Sequence, residues 1–154
     1  MLDEPQIVQV TAQATAVIPF LIPRSAIQQV MGPGIQELLA TLTTQGIVPT
    51  GPVFSHHFRM HADVFDFEIG VPIPSPVMPA GRVKPGQWPA GTVARTNYHG
   101  GYEGLSSAWG EFDAWLAAAG RTPARDLWEC YATGPELGPD SAAWRTELIR
   151  PLLP

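Results

Sequence analysis

Residues 101–120, GYEGLSSAWGEFDAWLAAAG, place apolar side chains at Leu105, Trp109, Phe112, Leu116 and Ala119. Ser106, Ser107, Glu111 and Asp113 fill the other face. Steps of three and four residues predict an amphipathic helix. Gly120 stands where a helix stops on a left-handed residue, and Pro123 follows. The same pattern occurs 74 positions earlier: Met31, Ile35, Leu38 and Leu42, then Gly46 and Pro49. Two strand-like runs follow at that offset, VFSHHF from Val53 and LWECYA from Leu127. Each half closes on a further strand, VFDFEIGVP (64–72) and WRTELIRP (144–151). Here Glu68 matches Glu147 and Pro72 matches Pro151 at an offset of 79. The five extra residues are assigned to a longer turn around GPELGPDSAA, which Pro and Gly tolerate.

Each half also opens with a strand candidate, roughly 6–21 and 83–99. The chain therefore reads as one domain, residues 1–154, made of two β-α-β-β repeats at about 5–79 and 80–154. One such unit leaves a sheet face and an edge open. Two can pair edges and set both helices on one side. The expected fold is α+β: an antiparallel sheet with two main helices on one face and a ligand cleft between the halves. In the first helix Gly32-Pro33-Gly34 interrupts the pattern. Either the helix kinks at Pro33, or it starts near Pro33, where proline is tolerated.

Composition narrows the function classes. Charged residues are only 15% of the chain against 45% hydrophobic, so much of the surface is uncharged, which suits an apolar groove or a partner surface. Gly and Pro together are 32 of 154 residues, short of the level that signals disorder. The net charge is −5, with nine scattered Lys and Arg and Lys84 the only lysine. A nucleic-acid surface needs a basic stripe, so no direct nucleic-acid binding is expected. The acidic start MLDEPQIVQV is not a signal peptide, and no apolar run reaches the roughly 18 residues of a membrane span. Cys130 stands alone, which excludes an internal disulfide. A cytoplasmic protein without membrane contact is the expectation.

The candidate chemistry centres on Glu129, one acid among Leu127, Trp128, Cys130 and Tyr131. Alternation points Leu127, Glu129 and Tyr131 one way, Trp128 and Cys130 the other. The repeat puts Ser55 at the position of Glu129 and His57 at that of Tyr131. If Trp128 and Phe54 pack under the helices, Glu129, Tyr131, Ser55 and His57 share the opposite face, and Cys130 faces the helices as a small buried apolar residue. Glu129 is read either as half of an ion pair with Arg59 or Arg95, worth about 0–1 kcal/mol at a surface, or as a buried acid facing aromatics. Burial would raise its pKa and a bound cation would reverse that. Trp109 reads equally as core or as binding surface. Trp88, in KPGQWPAG, reads as a lid or cleft-edge residue. Tyr102 follows Gly100 and Gly101, and its hydroxyl could reach Glu129 or a ligand, or its ring could staple the helix start. His57, His61 and His99 lack the motifs of a metal site, so no metal and no cofactor are expected.

The stretch from Pro89 to Gly120, then LWECYATGP and TELIRPL, resembles the GyrI-like small-molecule-binding domain, the effector-binding domain of many bacterial transcription activators. The matching features are the strand before an H-G-x-Y turn (His99, a glycine one place later at Gly101, and Tyr102), the helix ending in W-L, the E-x-Y strand and the closing I-x-P segment. DFEIGVPI in the first half is similar to the family's D-x-E-x-G-x-P pattern. The resemblance covers essentially the whole chain. It implies a duplicated fold with Glu129 in the ligand cleft, and members that bind hydrophobic, often cationic drugs. It also implies hydrolases among free-standing members, which open strained cyclopropane rings with a carboxylate beside aromatics, and a branch that protects DNA gyrase. A chain that opens directly on its first strand is expected to be a free-standing member.

The expected function is binding of hydrophobic or cationic small molecules, with Glu129 supplying charge and Tyr131, Tyr102, Trp109, Trp88, His57 and Ser55 supplying contacts. The alternatives are a hydrolase of cyclopropane-containing natural products using Glu129 assisted by Tyr131 or Tyr102, and a module that binds a protein partner such as gyrase or a regulator.

Overall fold

The runs rich in β-branched and aromatic residues form strands, and the two amphipathic segments form helices. The structure is a computed structural model that describes residues 2–60, 63–134 and 138–154, without the side chains of Arg59 and Met60. In chain order the elements are β1 (Gln6–Val10), β2 (Gln13–Pro23), α1 (Ile27–Thr44), β3 (Phe54–Met60), β4 (Val64–Pro72), β5 (Lys84–Trp88), β6 (Gly91–His99), α2 (Leu105–Ala118), β7 (Leu127–Thr133) and β8 (Arg145–Pro151). The fold is α+β with antiparallel strands and two main helices, as the sequence predicts, but each repeat runs β-β-α-β-β, because the opening strand expected at 6–21 and at 83–99 divides in two, Gln6–Val10 with Gln13–Pro23 and Lys84–Trp88 with Gly91–His99.

The chain divides into two compact units. One is Thr11–Ala90, and the other combines the chain up to Val10 with Gly91–Pro154. The first carries α1 and strands in the order β3-β4-β2-β5; the second carries α2 and the order β1-β6-β8-β7. The boundary of these units is not the repeat boundary near residue 79. The short opening strand of each repeat sits in the other repeat's unit: β1 pairs with β6, and β5 pairs with β2. Sequence periodicity marks where each strand begins but carries no information about its partner.

The ladders repeat residue for residue. A shift of 78 carries Gln6↔Arg95 onto Lys84↔Val17, and Val10↔Gly91 onto Trp88↔Gln13. In the inner hairpins, Ser55↔Ile69 corresponds to Glu129↔Leu148, and His57↔Phe67 to Tyr131↔Thr146. Both hairpins break register at the equivalent place, between His57 and Arg59 and between Tyr131 and Thr133. A bulge of this kind bends its strand and re-aims side chains. The longer turn expected around GPELGPDSAA separates β7 from β8. Of it, residues 135–137 lie outside the described residues, and Ser141–Ala143 form a 3-10 turn capped by the Asp140 carboxylate on the Ala142 amide at 3.1 Å.

Both helices stop as their glycines predict. Gly46 (φ 69°) and Gly120 (φ 71°) adopt the left-handed conformation. The amides of Ile47 and Arg121 donate back to Leu42 and Leu116 carbonyls at 2.9 and 3.0 Å, which satisfies carbonyls the helix end would otherwise orphan. At the other end of α1, Pro33 lies inside the helix, which begins six residues before it. Its missing N–H costs one helical bond. Gly34, next to it, lets the helix approach the sheet: a Cβ there would stand 3.0 Å from both Ile69 and Phe20.

In each unit the helix buries its apolar stripe on one sheet face. Leu38 and Leu42 of α1 pack with Phe20, Phe67 and Ile69, and Phe112 and Leu116 of α2 pack with Ala94, Tyr98 and Leu148. Full burial of a Leu or Phe contributes about 1.5–3 kcal/mol. These contacts reverse the face assignment made from sequence. Cross-strand neighbours share a face, so Ser55 and His57 lie with Ile69 and Phe67 on the helix side, and Glu129 lies with Leu148. Phe54, Trp128 and Cys130 take the opposite face. All three are nonetheless buried, at 2%, 2% and 6% exposure, so hydrophobicity alone does not say which face the helices cover.

The turn into α2 is tight. The Tyr98 hydroxyl donates to the Gly101 carbonyl at 2.8 Å, and a Cβ on Gly104 would collide with that hydroxyl. Gly104→Ala is expected to lower stability by about 1–3 kcal/mol through overpacking, and Tyr98→Phe by about 1 kcal/mol. In urea denaturation the double variant should lose less than the two combined, because the hydroxyl that collides is gone. Strict additivity would mean the collision is not the cause.

Candidate functional site

The bend in β7 and the fixed rotation of α2 bring two donors to one carboxylate. Trp109 is on α2, four residues after Leu105 and three before Phe112, so its indole lies on the edge of the buried stripe. Its Nε1 donates to Glu129 Oε2 at 2.7 Å. Tyr131, two residues along β7 and therefore on the same face, donates its hydroxyl to Glu129 Oε1 at 3.0 Å. The indole itself is held. It stacks on Phe112 (centroids 5.8 Å apart), and the Arg150 guanidinium lies 5.9 Å from its centre. Arg150 is fixed in turn by donating Nε–H to the Ala124 carbonyl at 3.1 Å and by Asp113 at 3.4 Å.

Glu129 keeps some accessible surface, but its carboxyl is enclosed enough for desolvation to dominate. Burial pushes its pKa up, and the bonds from Trp109 and Tyr131 only partly offset this. No Lys or Arg among the described residues pairs with it. Arg95, one partner considered from sequence, is exposed on β6; the side chain of Arg59, the other, lies outside the described residues. Cys130 is buried on the opposite face and its thiol pKa is pushed up, mainly by burial, so it is no ready nucleophile.

Aromatic rings extend the site. Tyr102 opens the 3-10 turn before α2 and is 38% exposed; its ring meets Tyr131 edge-on at 5.7 Å and Trp144 at 5.2 Å. The hydroxyl that reaches Glu129 is thus Tyr131's, while Tyr102 contributes an accessible ring. The structure gathers Glu129, Tyr131, Trp109 and Tyr102 in one unit. Sequence reasoning missed three neighbours: Trp144, Arg150 and Thr146. Thr146 is fully buried directly opposite Tyr131, and its hydroxyl has no partner among the described residues. The alignment of Glu68 with Glu147 carried the signal, since it places residue 146 on the Tyr131 rung.

Ser55 and His57 occupy the equivalent rungs of the other unit. Ser55 Oγ lies 3.2 Å from His57 Nε2, and the imidazole stacks on Phe67 at 5.2 Å. Burial, then the charges of His56 and Arg24, hold the His57 pKa down to about 4. Trp88 is not on that face. It ends β5 and meets Phe54 edge-on at 5.2 Å, on the side away from α1. His61, considered with His57 and His99 for a metal, lies outside the described residues. Among the described residues no three His, Cys, Asp or Glu side chains are grouped to hold an ion, and no helix is long and apolar enough to cross a membrane.

A curved antiparallel sheet in each of two related units, with an acid under aromatic donors, defines a class of small-molecule-binding α+β domain. The model of the GyrI-like small molecule binding domain matches residues 3–153, and the chain belongs to that family. A search of curated proteins gives no match. Among solved structures, the C-terminal domain of EcmrR is 20% identical with a TM-score of 0.85, covering 97% of both chains. EcmrR in a DNA complex gives a TM-score of 0.84 at 20% identity, and there the chain spans 57% of the longer protein. A hydrolase from Listeria innocua, encoded by lin2189, is 13% identical with a TM-score of 0.72, covering 97% of this chain and 92% of that one. SAV2435 bound to tetraphenylphosphonium is 12% identical with a TM-score of 0.65, covering 98% and 94%. At these identities the likeness is one of fold.

The two titrating groups act in opposite directions on stability. Glu129 binds its proton more tightly folded than unfolded, so its contribution to stability is lost as pH rises above the ordinary carboxylate range. His57 binds its proton less tightly folded, so stability is full above about pH 6.5 and falls towards pH 4, by roughly 3 kcal/mol in all. Denaturation of Glu129→Gln and His57→Phe across pH 4–8 checks both. Relative to wild type, Glu129→Gln should gain stability with rising pH, and His57→Phe should gain with falling pH.

Proposed function

We propose that the Glu129 site binds hydrophobic cations, in keeping with the small-molecule binding of its family. The observation that carries this reading is a buried carboxyl group held by two uncharged donors and paired with no Lys or Arg among the described residues. Such a group is stabilised by an arriving positive charge far more than a solvated acid would be. Trp109 and Tyr131 each donate to one oxygen, which leaves carboxylate lone pairs open to a ligand. The rings of Tyr102, Tyr131 and Trp109 add cation–π attraction of about 0.5–2 kcal/mol each. SAV2435, a protein of similar fold, is described with tetraphenylphosphonium bound, a ligand of this class.

Binding a cation favours the charged carboxylate, so it displaces the proton that burial retains. Titration of tryptophan fluorescence with tetraphenylphosphonium should show affinity rising with pH, accompanied by proton release. Glu129→Gln should weaken binding by roughly tenfold or more and remove the pH dependence. Equal affinity in Glu129→Gln would remove the charge from the mechanism.

One observation favours a second reading. A carboxyl whose pKa is pushed up by burial and that accepts a bond from a tyrosine hydroxyl has the features of a general acid. Glu129 would then protonate the carbonyl oxygen of an activated cyclopropane while water opens the ring. Mass spectrometry of a cyclopropane-bearing alkylator incubated with the protein separates the readings. A product heavier by one water that Glu129→Gln does not form supports hydrolysis, and unchanged compound supports binding alone. Contact with a protein partner, gyrase or a regulator, draws support only from the low charge content of the chain.

A further inference from the structure

Two buried side-chain atoms lack a hydrogen-bond partner among the described residues: Thr146 Oγ1 and His57 Nδ1. They fall on equivalent rungs. Tyr131↔Thr146 in one unit and His57↔Phe67 in the other lie at the same place in the duplicated ladder, just before the bulge. A buried polar atom left unmade costs about 1–3 kcal/mol, and each such atom in a folded protein calls for an explanation. In the Glu129 unit the orphan hydroxyl of Thr146 lies opposite Tyr131, which donates to the acid. The His57 unit has no acid at the corresponding place, because Ser55 replaces Glu129.

The surroundings of His57 define what would meet Nδ1. His57 is 7% exposed, its ring stacks on Phe67, and Phe65 meets it edge-on at 5.5 Å. Phe65, unlike Phe67, is only partly buried. Arg24 places its guanidinium 4.3 Å over Phe65, and its charge already disfavours protonation of His57. A second cation there would be repelled. Ser55 Oγ and His57 Nε2 share one hydrogen bond, and either tautomer is compatible with it. Nδ1 is therefore a donor or an acceptor, and a hydroxyl serves both.

We infer that the Thr11–Ala90 unit carries a second binding site, centred on His57 Nδ1 and walled by Phe65 and Phe67, for an uncharged aromatic hydroxyl compound of the phenol class. It extends the small-molecule role proposed for Glu129 to a ligand of different charge, and it stands without that reading. The two repeats then differ in specificity at equivalent rungs: an acid for cations in one, a neutral imidazole beside an arginine for phenols in the other.

The test is NMR of the full chain, following the ring nitrogens of His57 in ¹⁵N-histidine-labelled protein and the fluorine of 4-fluorophenol. Saturating 4-fluorophenol should shift His57 Nδ1, whereas 4-fluorotoluene, the same ring without the hydroxyl, should not. His57→Phe should weaken 4-fluorophenol by roughly tenfold, the value of one hydrogen bond with its desolvation, and Glu129→Gln should leave it within about twofold. An unmoved Nδ1 signal in the wild type overturns the proposal and needs no variant to fold. So does loss of 4-fluorophenol binding in Glu129→Gln, which would place the probe at the Glu129 site. So does an equal response to both probes, which would mean that Nδ1 is met by water alone.

Discussion

Across the β7–β8 ladder Glu129 sits opposite Leu148, and that rung decides what the acid can do. Leu148 is fully buried with Phe112 and Leu116, so its neighbour on the same face is drawn under α2. A slip of one residue would only carry the carboxylate to the opposite face, where Trp128, Cys130 and Ile149 are buried as well. Neither register solvates the acid, so it stays desolvated. The same register supplies the relief. Tyr131 is two residues along the strand, and Trp109 is on the helix that the ladder's apolar face holds down. Arg150 completes the arrangement by lying against the indole, with its own charge directed to Asp113 and a carbonyl. A cation stands nearby without neutralising the carboxylate.

Much of the fold was legible because its signals are local. The stripes Leu105–Trp109–Phe112–Leu116 and Ile35–Leu38–Leu42 gave the helices, and Gly46 and Gly120 stop them in the left-handed conformation. The repeat was legible because equivalent residues serve equivalent rungs. What failed depends on partners distant in sequence. Alternation along LWECYA separates two faces but does not name the one that a helix covers, and here both are buried. The pairing of β1 with β6 and of β5 with β2 is equally silent in the chain. Pro33 left the start of α1 undecided for a different reason. Its cost to α1 is fixed by local sterics, while the gain from seating Gly34 against Phe20 and Ile69 is tertiary.

The candidate site was legible in its centre and not at its rim. A lone acid between aromatics marked Glu129 and Tyr131. Trp109 read equally as core or as binding surface; its ring packs on Phe112 while its N–H holds the carboxylate. Trp144 and Thr146 carry no local mark, since one follows a variable turn and the other reads as an ordinary strand residue. Trp88 was marked by its Pro-Gly surroundings, yet the ladder turns it towards Phe54.

The duplicated ladder also explains how one scaffold can hold two chemistries. Equivalent rungs set these polar side chains on the same helix-covered face, with Ser55 and His57 buried and Glu129 and Tyr131 partly so. What differs is the compensation. Among the described residues Glu129 is met by two donors and pairs with no Lys or Arg; His57 is met by one hydroxyl, two phenylalanine rings and a guanidinium beyond them. Burial therefore pushes each group towards its neutral form, the carboxyl by retaining a proton and the imidazole by refusing one. The ionised carboxyl that burial disfavours gains from meeting a positive charge, whereas an imidazole beside Arg24 does not. Substitution on two successive rungs, Glu129 against Ser55 and Tyr131 against His57, changes the polar group that each half sets under its helix without altering a strand or a helix.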